Sequence, residues 1–216
     1  MTPSKRLFDL SLALMIAALL AVPFALLLAA LLVVEGRPLF YVSERMRAPG
    51  LPFMLWKLRT MRVVATDSGV SGGDKTARIT PVGRALRRTR LDEIPQLWNV
   101  LRGDMSFVGP RPPLRTYVER FPEIYGRVLQ SRPGITGLAT LEYHAHEERL
   151  LARCASAEET DRVYSGRCVL RKARLDLIYQ HNQSLCLDLF LMAKTGGRVI
   201  FRPLMKIVAP RRSARD

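Results

Sequence analysis

The sequence predicts a mainly α-helical protein, α+β only through one small β hairpin. It opens with an N-terminal membrane helix and continues as a compact domain with interfacial amphipathic helices. Three observations predict this. Residues 7–34 are almost wholly apolar, two aromatic-rich segments flank a Pro-Gly turn at 49–50, and from Pro81 onward the apolar pattern takes a helical period. A chain of 216 residues has room for one compact domain plus an appendage, divided here at 1–36 and 37–216.

The membrane helix comes first. After Lys5 and Arg6, the run LFDLSLALMIAALLAVPFALLLAALLVV holds a single charge, Asp9. As a helix its 28 residues extend about 42 Å, longer than a bilayer core and far longer than the apolar part of a signal peptide. Pro23 interrupts it, removing one backbone donor and favouring a bend. Positive charge stands on both flanks, Lys5 and Arg6 before and Arg37, Arg45 and Arg47 after. A helix bent at Pro23 that enters and leaves by the cytoplasmic face satisfies both flanks, whereas a straight span satisfies one. The re-entrant form is therefore expected, with a bitopic span as its alternative.

Segments 38–46 and 51–61 form the hairpin, joined by RAPG, and alternation sets Lys57 and Arg59 against Trp56 and Leu58. The stretch TDSGVSGGDKT (66–76) reads as a loop. It is no P-loop, because Asp74 separates Gly73 from Lys75. In the helix from Pro81, Arg84, Arg87 and Arg88 share a face and Arg90 follows. Asp92, or alternatively Thr89, caps the next helix through Trp98, with Pro95 in its first turn. RPGITG (132–137) reads as a tight turn and 147–180 as a charged helical region. Arg198, Arg202 and Lys206 recur every fourth residue among apolar neighbours, a stripe suited either to anionic lipid or to a solvated helix face.

Charge narrows the partners. Thirty-four Lys and Arg against nineteen Asp and Glu leave +15, so anionic partners are expected: nucleic acid, lipid headgroups or phosphorylated substrates. Cys154, Cys168 and Cys186 are odd in number and form no CxxC, which fits reduced thiols in a cytosolic domain and excludes a disulfide framework.

The chemistry concentrates in RRTRLDEIPQLWNVLRGDMSFVGPRPP, residues 87–113. Locally, Asp92 and Glu93 suit a helix start, one as cap and one facing the dipole. In a cluster of arginines they also suit phosphoryl chemistry. A carboxylate can attack phosphorus, its neighbour can hold Mg²⁺, and guanidinium matches phosphate bidentately. Adjacent helical side chains diverge by about 100°, so the two carboxylates suit separate tasks. Arg111 is stiffened by Pro110, Pro112 and Pro113, which lowers the entropy lost in aiming it. His144 and His146 would share a face in a strand, but no third ligand stands at a metal-site spacing.

KRLFDLSLAL, WKLRTM, RRTRLDEIPQLWNVLRGDMSFVGPRP and RPGITG, in this order behind a proline-containing apolar segment, resemble the bacterial small monotopic phosphoglycosyl transferases, or polyprenyl-phosphate sugar-1-phosphate transferases. The resemblance runs from Lys5 to about residue 195. It implies transfer of sugar-1-phosphate from a nucleoside diphosphate sugar, usually a UDP-sugar, to undecaprenyl phosphate with release of UMP. That is the first membrane step of exopolysaccharide, capsule, O-antigen or glycoprotein glycan assembly. It implies a catalytic domain on the cytoplasmic face of the inner membrane, Asp92 as nucleophile, Glu93 as Mg²⁺ ligand, and Arg87 and Arg111 as phosphate ligands. The family's re-entrant helix bends at a Ser-Pro pair, where this chain has Val22-Pro23. A second departure is LATLEYHAHEERLLARCAS after RPGITG, a candidate sugar or nucleotide contact. Asp176, Tyr179 and Asp188 stand in family-like places with no chemistry assigned.

Two non-catalytic readings compete, a membrane-tethered nucleic-acid binder and a membrane scaffold. Neither uses Asp92 and Glu93 among arginines, and the basic run 84–90 lacks the aromatics that single-strand binding favours. The expected partners are thus UDP-sugar, undecaprenyl phosphate and membrane lipid, not nucleic acid. No motif fixes the sugar or the oligomeric state.

Overall fold

The computed structural model describes residues 1–64 and 73–208, the last eleven of these and Asp74 as backbone only. The first helix, α1 (Pro3–Val34), is capped by the Thr2 hydroxyl, which accepts from Lys5 N, and continues through Pro23 without a break. The antiparallel hairpin β1 (Phe40–Ala48) and β2 (Leu51–Leu58) follows as expected, turning at Pro49-Gly50. A 3₁₀ turn, Gly73–Arg78, takes up the end of the expected 66–76 loop, and the rest of that loop lies outside the described residues. Then come α2 (Pro81–Thr89), a 3₁₀ turn Leu91–Glu93, α3 (Gln96–Arg102) and β3 (Ser106–Val108). After these lie α4 (Arg115–Arg120), α5 (Pro122–Val128), β4 (Gly134–Thr136), α6 (Leu138–Leu151) and α7 (Ala157–Val163). A π-helical turn, Tyr164–Cys168, leads into α8 (Val169–His181), and α9 (Leu185–Val208) ends the described chain. The basic stripe at 198, 202 and 206 falls in α9, where its side chains lie outside the described residues. The described residues are mainly helical, as predicted, and carry a second two-stranded sheet beside the expected hairpin.

Three expectations change. RPGITG is not simply a turn, because Gly134–Thr136 pairs in parallel with Ser106–Val108. Gly109 N donates to Thr136 O at 2.9 Å and Gly134 N to Pro110 O at 2.8 Å, so the segment leading to Arg111 is pinned from one side. A Cβ on Gly109 would collide with the Arg132 carbonyl, which is why glycine is needed at this crossing. His144 and His146 lie on α6, not a strand, and two positions on a helix point to nearly opposite sides. The third change, Asp92 as a cap, belongs to the site below.

Both ends of α1 pack on the same domain. Near its start, Lys5 forms a buried ion pair with Asp188, and Arg6 donates to the Val100 and Leu101 carbonyls at 2.6 and 2.8 Å. Tyr179 joins this knot, its hydroxyl 2.6 Å from Asp188 Oδ1 and 3.1 Å from the Val108 carbonyl. Tyr179 and Asp188 thereby tie α1 to α8, α9 and β3. Ala13, with Leu12 and Ile16, enters the core around Val100, Met105 and Leu191. At the far end, Leu31 packs with Leu58 and Leu86, flanked by Phe24, Leu27 and Leu28. Arg59 closes this end, donating to the Glu35 carbonyl at 2.7 Å and the Pro38 carbonyl at 2.6 Å, so carbonyls that a helix terminus leaves unpaired find a donor. Between the moorings Leu14, Leu19, Val22 and Leu26 stand well exposed. A further core, Met46, Tyr117, Tyr125, Val128, Tyr164 and Val169 among its members, joins β1 to the helices that follow β3.

Candidate active site

The site begins with a reversal of the chain. Arg90 closes α2 in the left-handed region at φ 58°, its N–H donating to the Leu86 and Arg87 carbonyls. Left-handed backbone is unusual for a residue with a Cβ, and here it turns the chain sharply enough to point the next residues inward. Asp92 and Glu93 therefore sit in a 3₁₀ turn, only 7% and 8% exposed, and α3 starts at Gln96 behind Pro95 with no side-chain cap. Asp92 caps nothing. Pro95 takes the cap position, which leaves both carboxylates free for other partners.

Those partners divide unequally. Glu93 receives Lys57 Nζ at 2.9 Å and Arg90 through Nη2 at 2.7 Å and Nε at 3.2 Å, with Arg111 Nη2 at a looser 3.5 Å. Burial pushes the Glu93 carboxyl up, but Lys57, Arg111 and Arg90 more than offset this and hold it well below the usual carboxylate range. Asp92 has no hydrogen bond or ion pair among the described residues. Burial raises its pKa, with Lys57 and Arg87 opposing and Glu93 reinforcing. Two neighbours in sequence thus occupy opposite environments.

The four cations come from three parts of the chain. Lys57 ends the second hairpin strand, Arg87 lies on the inner side of α2, Arg90 closes that helix, and Arg111 follows the pinned β3 segment. Of the three arginines expected to share a face of α2, only Arg87 turns inward; Arg84 and Arg88 are exposed. Arg87 Nε donates to Thr60 Oγ1 at 2.8 Å, which aims its remaining nitrogens without neutralising them. Gly83 permits this closeness, since a Cβ there would strike the Thr60 backbone. Arg111 leaves 38% of its side chain accessible, although burial is the largest influence on its guanidinium and Glu93 and Glu147 then stabilise its charge.

These groups form one wall of a cavity of about 1740 Å³. The other wall comes from α6, the π turn and α8. There Lys172 Nζ donates to both oxygens of Glu147 at 3.0 Å and to the Tyr164 hydroxyl at 3.3 Å. Asp176, one helical turn beyond Lys172, has a buried Oδ1 with no partner, and burial raises its pKa to about 7. His144 and Glu148 of the divergent segment line the same cavity, so that segment does face the site.

The expected site residues Arg87, Asp92, Glu93 and Arg111 therefore come together. Sequence reasoning missed Lys57 as the closest lysine to the dyad, and it missed the Glu147–Lys172–Asp176 wall. The signal for Lys57 was present, because alternation pointed it away from Trp56.

A family described as "Bacterial sugar transferase" matches residues 1–202. The chain belongs to this family. It is 35% identical over 199 residues to the "Uncharacterized sugar transferase EpsL" of Bacillus subtilis (strain 168), covering 91% of this chain and 87% of that protein. It is 43% identical over 141 residues to the "UDP-glucose:undecaprenyl-phosphate glucose-1-phosphate transferase" of Caulobacter vibrioides, covering 62% of this chain and 52% of that one. With the "UDP-N-acetylgalactosamine-undecaprenyl-phosphate N-acetylgalactosaminephosphotransferase" of Aeromonas hydrophila the identity is 34% over 198 residues, 88% of this chain and 42% of the other. The chain thus spans about half or less of these two relatives with named sugars. Membership in a transferase family sets aside the non-catalytic readings.

Proposed function

We propose that this sugar transferase moves sugar-1-phosphate from a UDP-sugar to undecaprenyl phosphate, releasing UMP, through a covalent phosphosugar on Asp92. The observation that carries this reading is the contrast in the dyad: Glu93 is held by three cations while Asp92 faces the cavity with no partner among the described residues. A carboxylate free of hydrogen bonds keeps its lone pairs for attack. Burial disfavours its charge, and an incoming phosphate held by Arg87 and Arg111 stays close enough for reaction despite like charge.

Asp92 attacks the sugar-bearing phosphorus, the bond to the bridging oxygen breaks, and UMP departs. The lipid phosphate then attacks the same phosphorus and frees the carboxylate. Glu93 is the residue to hold Mg²⁺. It is kept deprotonated, as a carboxylate that binds a cation must be, and Mg²⁺ favours few protein carboxylates plus phosphate oxygens. Of the contacts to Glu93 the one from Arg111, at 3.5 Å, is the longest and would be the one to yield to an ion. When bound, the ion supplies charge neutralisation for the leaving phosphate.

The moorings of α1 support a topology. Its two ends pack on one domain while its middle stays apolar and exposed, which favours entry and exit by one membrane face, with residues 1–36 re-entrant and 37–216 cytoplasmic. Trp98, Leu189 and Phe190 are exposed apolar groups suited to the bilayer surface.

The deciding experiment is mass spectrometry. Protein incubated with UDP-sugar and Mg²⁺ but no lipid should gain one phosphosugar on the peptide carrying Asp92, and Asp92→Asn should gain none. Normal turnover by the Asn variant would instead favour direct attack by lipid phosphate in a ternary complex.

A further inference from the structure

Arg45 has no place in the chemistry so far, yet it lines the same cavity. Its Nε is buried with no hydrogen-bond partner, and among the described residues its guanidinium forms no ion pair. A largely buried cation without an anion is costly. Glu44, next in sequence, points to the other side of β1 and binds Arg115 through both oxygens at 2.8 and 3.0 Å. Glu93 is occupied by Lys57 and Arg90, and Glu147 by Lys172. Met46 N donates to the Pro113 carbonyl at 3.0 Å, bringing this part of the strand beside the segment that carries Arg111. Arg45 is thereby placed near a like charge.

Strand geometry gives an order. Tyr41 and Arg45 share a face of β1, and Tyr41 pairs with Lys57, which reaches Glu93 at 2.9 Å. Arg45 pairs opposite Phe53, about 13 Å along the strand from that level. Arg111 reaches Glu93 at 3.5 Å from the segment that Met46 N holds. Arg111 and Arg45 therefore form a row that leads away from the dyad, with Asp92 at its near end. A diphosphate has two phosphates side by side. One must lie against Asp92, and the other then falls toward Arg45.

We propose that Arg45 is a ligand for the phosphate that is not attacked. This rests on the reading that the site handles a nucleoside diphosphate sugar. In the first half-reaction that phosphate belongs to the nucleoside. Asp92 bonds to the sugar-bearing phosphorus, the bridging P–O bond breaks, and its electron pair stays on the departing phosphate monoester with no proton transferred. The charge that develops there lies at the Arg45 end of the row, where a guanidinium aids departure. In the second half-reaction the lipid acceptor is also a phosphate monoester, approaching the same phosphorus along the path the first one left. One guanidinium thus serves both monoesters, and its unpaired state in the free protein is the cost of keeping that position open.

The test uses full-length protein in nanodiscs and compares wild type with Arg45→Gln. Titration calorimetry with inorganic pyrophosphate reads the phosphate position without any turnover, and Arg45→Gln should weaken it at least about tenfold, as loss of a charge-assisted hydrogen bond does. UMP inhibition should weaken in parallel, while thermal stability should not fall, because a like charge beside Arg111 has been removed. A matching rise in the KM for undecaprenyl phosphate assigns the position to both monoesters; a change confined to UMP and UDP-sugar assigns it to the nucleotide alone. Unchanged pyrophosphate and UMP binding overturns the proposal, even if turnover falls. Wild type that binds pyrophosphate yet releases no UMP from any UDP-sugar overturns the parent reading and leaves the Arg45 result to stand on its own.

Discussion

The two walls of the cavity handle charge in opposite ways. On the wall built from the hairpin, α2 and the Arg111 segment, cations outnumber carboxylates, and one carboxylate, Asp92, has no partner among the described residues. On the wall built from α6, the π turn and α8, Lys172 and Glu147 neutralise each other and Asp176 is pushed toward its uncharged form. The first wall is poised for an anion and pays for it in uncompensated charge. The second carries little net charge, a surface better suited to hydroxyls than to phosphate. The difference teaches where a mutation should cost stability and where it should cost only chemistry.

The largest expected effect breaks the first wall. Glu93→Gln removes the anion shared by Lys57, Arg90 and Arg111, and stranding buried partners in this way costs about 3–5 kcal/mol. Chemical denaturation should show that loss, whereas Asp92→Asn should melt at or above wild type because no partner is lost. Equal destabilisation by both would mean that the dyad is one structural unit, and the contrast would collapse.

Next comes the second wall. The Asp176 carboxyl titrates near 7 in the folded protein, above its unfolded value, so its contribution is fully present below about pH 4 and is lost as pH rises toward 7. Wild type and Asp176→Asn should be similarly stable at pH 4. Above pH 7 the Asn variant should lead by about 2–3 kcal/mol, a discounted value for a shift of this size. Stability curves measured across that range that stay parallel would show that Asp176 finds a partner at neutral pH.

The smallest effect lies outside both walls. Arg115→Gln breaks an exposed pair with Glu44, which solvent screens, and should leave stability nearly unchanged. UMP release should be unaffected, which makes this variant a control for Arg45→Gln on the neighbouring strand position. A large loss of activity in Arg115→Gln would show that Glu44 orders the hairpin.

How much of this was legible in the sequence follows the same division. The first wall lies largely within residues 87–113, where arginines, carboxylates and prolines stand close enough to be read together. Arg87, Asp92, Glu93 and Arg111 could be named before any fold was known. The misreading of Asp92 as a cap had a local cause, since left-handed backbone at Arg90 has no marker when the residue is not glycine or asparagine. The second wall pairs Glu147 with Lys172, 25 residues apart, through the packing of α6 on α8. No periodicity carries that contact. Likewise the three-residue strands at 106–108 and 134–136 are too short for alternation to show, so a Pro-Gly pair there read as a turn. His144 and His146 were misplaced because two residues fit either period, and only the 14-residue span of α6 decides between them.

The moorings of α1 carry one more consequence. A helix that crosses a bilayer must match the thickness of its hydrocarbon, and mismatch makes it tilt or deform the lipid around it. A rod fastened near both ends to one globule, with Lys5 and Arg6 at one end and Arg59 closing the other, answers to the globule instead. In the proposed re-entrant topology its depth is set by protein contacts, and so is the height of Asp92 above the lipid tails. Such an enzyme should work alike in thin and thick membranes, and respond instead to whatever crowds or charges the surface on which it floats.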